Sequence, residues 1–338
     1  MPSKTASIRQ PQAPGKLFQI DDYPLPNGRN ALSVQLPSRH AAAFYAEHPD
    51  LEGHYGKWNS CSGGLYLPGE VNNADEALDL LEKFTFPLHL RHRAMSASRH
   101  VQSAFSEVAK LKIIRDLPVG RIDRRKLPAM AESFAAGDYD PARLLPFRRI
   151  QPAPARPPTL AIVASAGNAE MWSNAHYIPE VLTLAISVLW ACEAAGLPAY
   201  AALCMGHYFG TNREYAHMTL AHMLATPYST TSLKTYGYAL HRDLWRMSDL
   251  AAIAADPALC AKVAKYDLPS YTATDIWPSL NGGYAVSWAR HMLGADLVIA
   301  IGDLEDIRDA DIQLSTGFNT ESACKEIARQ AEKLKGAL

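Results

Sequence analysis

Ser165 and Asn168 lie in a short polar break, SAGN, that follows the apolar run TLAIVA at residues 159–164. A break of this kind after a buried strand matters because an open parallel sheet usually seats its ligand at the carboxyl ends of its strands. A second chemical group, Gly302-Asp303-Leu304-Glu305-Asp306, follows a second apolar run, DLVIAI. Its three carboxylates could supply an acid/base pair, although a solvated acidic loop explains the same residues. His89, His92 and His100 sit in a basic run, and the first two share a helical face. They lack nearby carboxylate or thiolate partners at metal-ligand spacing. His217 and His222 are five apart and do not share a face. The five cysteines (Cys61, Cys192, Cys204, Cys260 and Cys324) form no CxxC pair and fall in apolar segments, as reduced core thiols of a cytoplasmic protein would. The sequence contains no GxSxG elbow, P-loop, HExxH or GxGxxG. Nucleophilic, nucleotide-phosphate and zinc-protease chemistries therefore have no motif to rest on.

A third feature is charge. Residues 91–156 hold 14 Lys/Arg against 6 Asp/Glu, a local balance of +8 within a chain of net charge −1. Arg124, Arg125, Lys126, Arg148 and Arg149 form its densest part. A basic segment can bind nucleic acid or an acidic protein surface, but no aromatic interleaving accompanies this one. A solvated helical face accounts for it equally well.

The elements that must position these groups can be read from periodicity and punctuation. The run at residues 159–164 suits a strand buried on both faces. Pro179 opens a helix that is apolar nearly all round and is stopped by Gly196. Residues 197–205 read as the next strand, giving a βαβ unit. Residues 41–47, 75–84, 96–112, 124–135, 213–224, 233–247, 250–255, 258–265 and 284–293 read as helices, residues 296–301 as a buried strand, and residues 266–283 as loop. Gly120 marks a turn, and residues 144–150 read as extended. Asn319 or Thr320 caps a last amphipathic helix whose inward stripe is Ala323, Cys324, Ile327, Ala328, Ala331 and Leu334. The expected organisation is a flexible arm over residues 1–30 and a mainly helical N-terminal domain over residues 31–150. A Pro-rich linker at residues 151–158 then leads to an α/β domain over residues 159–338. No apolar run reads as a bilayer span, and the N-terminus lacks the apolar core of a secretory signal.

The order of apolar strand, short loop, buried helix, second strand, Thr-bearing loop and apolar strand with an acidic Gly-Asp loop resembles a von Willebrand factor A (VWA) domain. GRIDRRKLPAMAESFAAGDYDPARLLPFRR and SLKTYGYALHRDLW look like segments of cobaltochelatase-type and phage-encoded VWA proteins. The resemblance covers residues 117–334. It implies a Rossmann-like sheet, mostly parallel, with helices on both faces. In that family a DxSxS loop, a later Thr and a last Asp bind Mg²⁺, leaving a position for a partner's carboxylate. The DxSxS slots here hold Ala164, Ala166 and Asn168, with Ser165 beside them. Thr230 or Thr231 fills the Thr slot, and Asp303 the last Asp slot, with Glu305 close by. One carboxylate with the neutral oxygens of Asn168 and Thr231 is a poor Mg²⁺ site, because that ion gives up its waters reluctantly.

The resemblance thus implies a non-enzymatic docking module with a degenerate metal site and no cofactor, acting beside a MoxR-type AAA+ ATPase in a bacterial or phage-infected cell. Its contact residues would be Ser165, Asn168, Thr231, Asp303 and Glu305. Two other readings stand against it. One is a nucleic-acid-binding protein using the basic segment, and the other is a hydrolase of unrecognised type built around Asp303 and Asn168.

Overall fold

The computed structural model describes residues 19–25, 30–37, 86–111, 116–122, 147–152, 156–166, 176–209, 216–227, 236, 276–278 and 282–334. The organising strand is β5 (Leu160–Ser165), buried along its whole length. The chain then forms helix α2 (Tyr177–Ala195) and returns as β6 (Ala199–Phe209). On the other side of β5 lie β9 (Leu297–Ile301) and β10 (Ile312–Leu314). All four strands run parallel, with Ala164 opposite both Leu203 and Ile301. The architecture is α/β, built on a mixed sheet whose centre is parallel.

The sheet extends past β6 through β7 (Ala216–Ala225), β2 (Asn30–Pro37) and β1 (Gln19–Pro24), giving the order β1-β2-β7-β6-β5-β9-β10. A short β8 (Ile276–Pro278) pairs with the far end of β6, beyond the end of β5. Three sequence expectations change here. Residues 213–224 were read as a helix, but residues 216–225 form a strand antiparallel to β6 and parallel to β2. With both neighbours paired and apolar residues on both faces, AHMTLAHMLA carries no period-2 alternation to mark it as a strand. Residues 19–24, expected in a flexible arm, pair with β2, which was expected in a helical domain. Residues 276–278, read as loop, are β8.

Side chains alternate along each central strand and divide the core in two. Leu160, Ile162, Leu297, Ile299, Leu203 and Leu220 point to a face covered by α1 (Leu88–Val108), α2 and α4 (Thr320–Leu334). Ala161, Val163, Ala202, Cys204, Val298 and Ala300 point to the other, covered by α3 (Ala285–Met292) with Tyr23 and Leu25. Helix α1 begins eight residues earlier than its expected start at 96 and shares one core with α2 and α4. The N-terminal segments described here therefore pack onto the same sheet as residues 159–334.

Helix α2 is long and apolar enough to cross a membrane by length and composition, which the sequence reading did not recognise. In the fold it is buried on almost every side. Two of its buried polar residues are satisfied internally: the Thr183 hydroxyl donates to the Pro179 carbonyl, and Ser187 to Thr183. Gly196, at φ 68°, ends the helix in the left-handed conformation expected of it, and Leu197 N–H closes on the Cys192 carbonyl. Of the α4 stripe, Ala323, Cys324, Ile327 and Ala331 are buried, and the Asn319 side chain accepts from Ser322 N–H at the start of that helix.

Away from the main sheet, β3 (Asp116–Ile122) and β4 (Phe147–Pro152) form an antiparallel pair. Gly120, read as a turn, lies inside β3 where the register shifts between Val119 and Ile122, as glycine at a bulge does. The helices expected at residues 41–47, 75–84, 124–135, 250–255 and 258–265 lie outside the described residues. So does the helix at residues 233–247 apart from Tyr236, which is helical and buried.

Candidate functional site

The chain leaves β5 toward β6 on one side and reaches β9 on the other, so the strand order reverses between β5 and β9. That reversal makes the carboxyl ends of these two strands the natural place for a ligand in a doubly wound sheet. Ser165 ends β5 and Gly302-Asp303 follows β9, so the two loops picked out from sequence meet at the same edge.

The crevice between them is filled by the protein's own backbone. Gly282 N–H donates to the Asp303 carbonyl at 2.9 Å, and Glu305 N–H donates to the Gly283 carbonyl at 3.0 Å. A Cβ at Gly282 would stand 2.9 Å from Ser165 Cα and 3.1 Å from the Cys204 carbonyl oxygen, and would overlap Leu304. A Cβ at Gly283 would stand 2.9 Å from Gly206 Cα and 3.0 Å from Thr219 Oγ1, and its φ of 69° already favours glycine. Only a Gly-Gly pair lets the chain lie this close to the strand ends. The sequence reading placed both glycines in a loop and gave them no role, although adjacent glycines do signal a close backbone approach.

Ser165 is wholly buried, and its carbonyl accepts from the Tyr177 hydroxyl at 3.0 Å. Asp303 and Glu305 are exposed, while Leu304 between them points into the core under α3. Asp306 has a different job. It is buried, and its carboxylate accepts from Val286 N–H at 3.1 Å and Ser287 N–H at 2.6 Å in the first turn of α3. Burial pushes its carboxyl up from the ordinary aspartate value, and the Ser287 and Val286 hydrogen bonds oppose that shift without cancelling it. Of the three carboxylates in the acidic loop, one thus holds a helix and two face outward.

Asn168 and Thr231 lie outside the described residues, as do Arg124, Arg125 and Lys126. Arg148 and Arg149 fall in β4, on the two-stranded ribbon rather than in the main sheet. Among the described residues no group of three or more His, Cys, Asp or Glu is placed to hold a metal ion. The described donors fit a divalent ion poorly on their own geometry. Ser165 is closed off with Gly282 packed on its α-carbon, and only Asp303 and Glu305 bring carboxylates to solvent. Comparison of the chain with protein-family models gives no match, and comparison with curated proteins gives none.

Proposed function

We propose that the carboxyl edge of the sheet is a docking surface for a partner protein, in a module of VWA type whose metal site has degenerated. The observation that carries this reading is the filled crevice. The edge where such a sheet usually binds a ligand is occupied by Gly282 and Gly283, and two exposed carboxylates stand over it. A closed edge with outward carboxylates suits contact with a basic protein surface better than it suits a reaction, which needs a concave pocket. The neighbouring positions of the β5 and β9 loops support the VWA likeness, because that family builds its site from loops in these places. On the same likeness the partner is a MoxR-type AAA+ ATPase and the chain acts without a cofactor.

The test is affinity for such an ATPase, purified from the organism that makes this chain. Wild-type protein should bind it equally in Mg²⁺ and in EDTA. The substitution Asp303→Lys should weaken binding about tenfold, through loss of a charge pair and gain of a repulsive one. Binding that is absent, or that needs Mg²⁺ on this chain, would overturn the reading.

A further inference from the structure

Helix α1 carries a second surface, distinct from the sheet edge. Leu88 and Met95 are the exposed large hydrophobic residues among the described residues, at 63% and 48% exposure. They are seven residues apart and so lie on one face of the helix. Arg91 and His92 stand between them and Arg99 lies one turn beyond, all exposed. Among the described residues none is placed as an ion-pair partner for Arg91, His92 or Arg99. Arg93 differs in that it is spent on Glu180 of α2.

The charge on this face is one-sided. The sequence from Leu88 to Ser106 contains no Asp or Glu. The first turn of α1 has no acidic residue, and the helix field there disfavours the cations it does carry. A surface helix whose only concern is solubility mixes signs and avoids exposed Leu and Met. Here two apolar anchors and three basic side chains break that rule together with no compensating charge among the described residues, and such a break points to function.

We infer that this face of α1 binds an acidic amphipathic helix of another protein, with the partner's apolar residues on Leu88 and Met95 and its carboxylates on Arg91 and Arg99. A guanidinium engages a carboxylate through two parallel hydrogen bonds, so each arginine can fix the register of such a helix. A nucleic-acid backbone matches the charge but leaves Leu88 and Met95 unused. A bilayer matches the apolar residues, but two side chains bury less than one acyl chain, which itself gives only marginal attachment. The inference does not rest on the sheet-edge reading, because α1 contributes no residue to that edge.

The experiment uses the full chain and a fluorescein-labelled peptide of about 18 residues, long enough to form a helix. The peptide carries Leu at helical i, i+3, i+4 and i+7 spacing and Glu at the flanking positions. Fluorescence anisotropy should show saturable binding with a Kd of about 10 µM or tighter. Leu88→Ser with Met95→Ser, and separately Arg91→Glu with Arg99→Glu, should each weaken it about tenfold. A control peptide with its Leu replaced by Ser should fail to bind, and Asp303→Lys should leave affinity unchanged. All substituted α1 side chains are exposed, and a thermal melt checks that each variant is folded. If a double variant melts early, Met95→Gln alone takes its place. Unaltered binding in the folded variants would overturn the inference. So would stronger competition by phosphatidylserine vesicles or duplex DNA than by unlabelled peptide, and so would cross-links from position 92 to residues 75–84 of the same chain.

Discussion

The two faces of the sheet are built on different principles. The face under α1, α2 and α4 is mainly aliphatic, with Phe86, Phe105, Tyr177 and Tyr236 at its helical side: Leu160, Ile162, Leu182, Ile186, Leu203, Leu220, Ile299 and Ile327 meet in one cluster. At its rim Glu180 receives Arg93 and both the backbone N–H and the hydroxyl of Thr320, tying three helices together. The face under α3 is lined by small residues, Ala161, Ala202, Ala221, Ala300 and Cys204. Its large side chains are held by buried hydrogen bonds. Trp288 Nε1 donates to Ser33 Oγ at 2.7 Å, and the Tyr23 hydroxyl and Thr219 Oγ1 are 2.7 Å apart. An aliphatic core gains stability from volume and tolerates repacking, whereas a hydrogen-bonded one accepts a single arrangement of its partners. The second face is the one that fixes where β1, β2 and the Gly282-Gly283 segment must lie, so the specific face is also the one that closes the sheet edge.

On this contrast the α3 face should be the less forgiving. Trp288→Ala should cost about 4 kcal/mol, from a cavity at a residue with no exposed surface and a Ser33 hydroxyl left without its donor. Chemical denaturation checks it, and Ile299→Val, a volume change on the aliphatic face, should cost only about 1 kcal/mol. Gly282→Ala should cost about 3 kcal/mol, because its Cβ meets backbone atoms at Ser165 and Cys204 that cannot swing away. If Gly282→Ala melts with the wild type, the crevice is not filled as described.

The rim of the aliphatic face should respond to acid. Burial works to raise the Glu180 carboxyl, but hydrogen bonds from Arg93 and Thr320 outweigh it and hold the group below its ordinary value of 4.5. A lowered folded-state value means the stabilisation is fully present above the unfolded carboxyl's pKa and is lost as pH falls through the folded one. Glu180→Gln should therefore cost about 2 kcal/mol at pH 7 and progressively less below pH 4.5, as read by urea denaturation across pH. Asp306, under α3, should behave in the opposite sense. Its raised value makes ionisation cost stability as pH climbs above the ordinary 3.8, so it favours the folded chain in acid. A carboxyl-resolved NMR titration should find Asp306 above 3.8 and Glu180 below 4.5. Tyr23→Phe should cost about 1 kcal/mol, for one lost hydroxyl pairing.

Local chemistry made one half of this fold readable. The strands at Leu160–Ser165 and Leu297–Ile301, the glycine-stopped α2 and the Asn-capped α4 all carry their own periodicity or punctuation. The other half is specified by partners far along the chain. Ser33 meets Trp288 and Tyr23 meets Thr219 across more than half of the sequence, so neither β1 nor β2 announces its place locally. β7 carries a helix-like pattern yet forms a strand for the same reason, since pairing on both sides decides its conformation. At the candidate site, the loops at Ser165 and Asp303 were legible because turn residues follow apolar runs. That Asp306 would hold α3, that Ser165 would be sealed and that Gly282 would seal it depend on where a segment over a hundred residues downstream of β5 comes to rest. Sequence spacing does not encode that position.

The most direct measurement is the affinity of a purified MoxR-type AAA+ ATPase for this chain, taken in Mg²⁺ and in EDTA, for the wild type and for Asp303→Lys. Binding should ignore the chelator and weaken about tenfold with the charge reversal. Binding that disappears in EDTA through loss of an ion from this chain, or that is unchanged by Asp303→Lys, would contradict it.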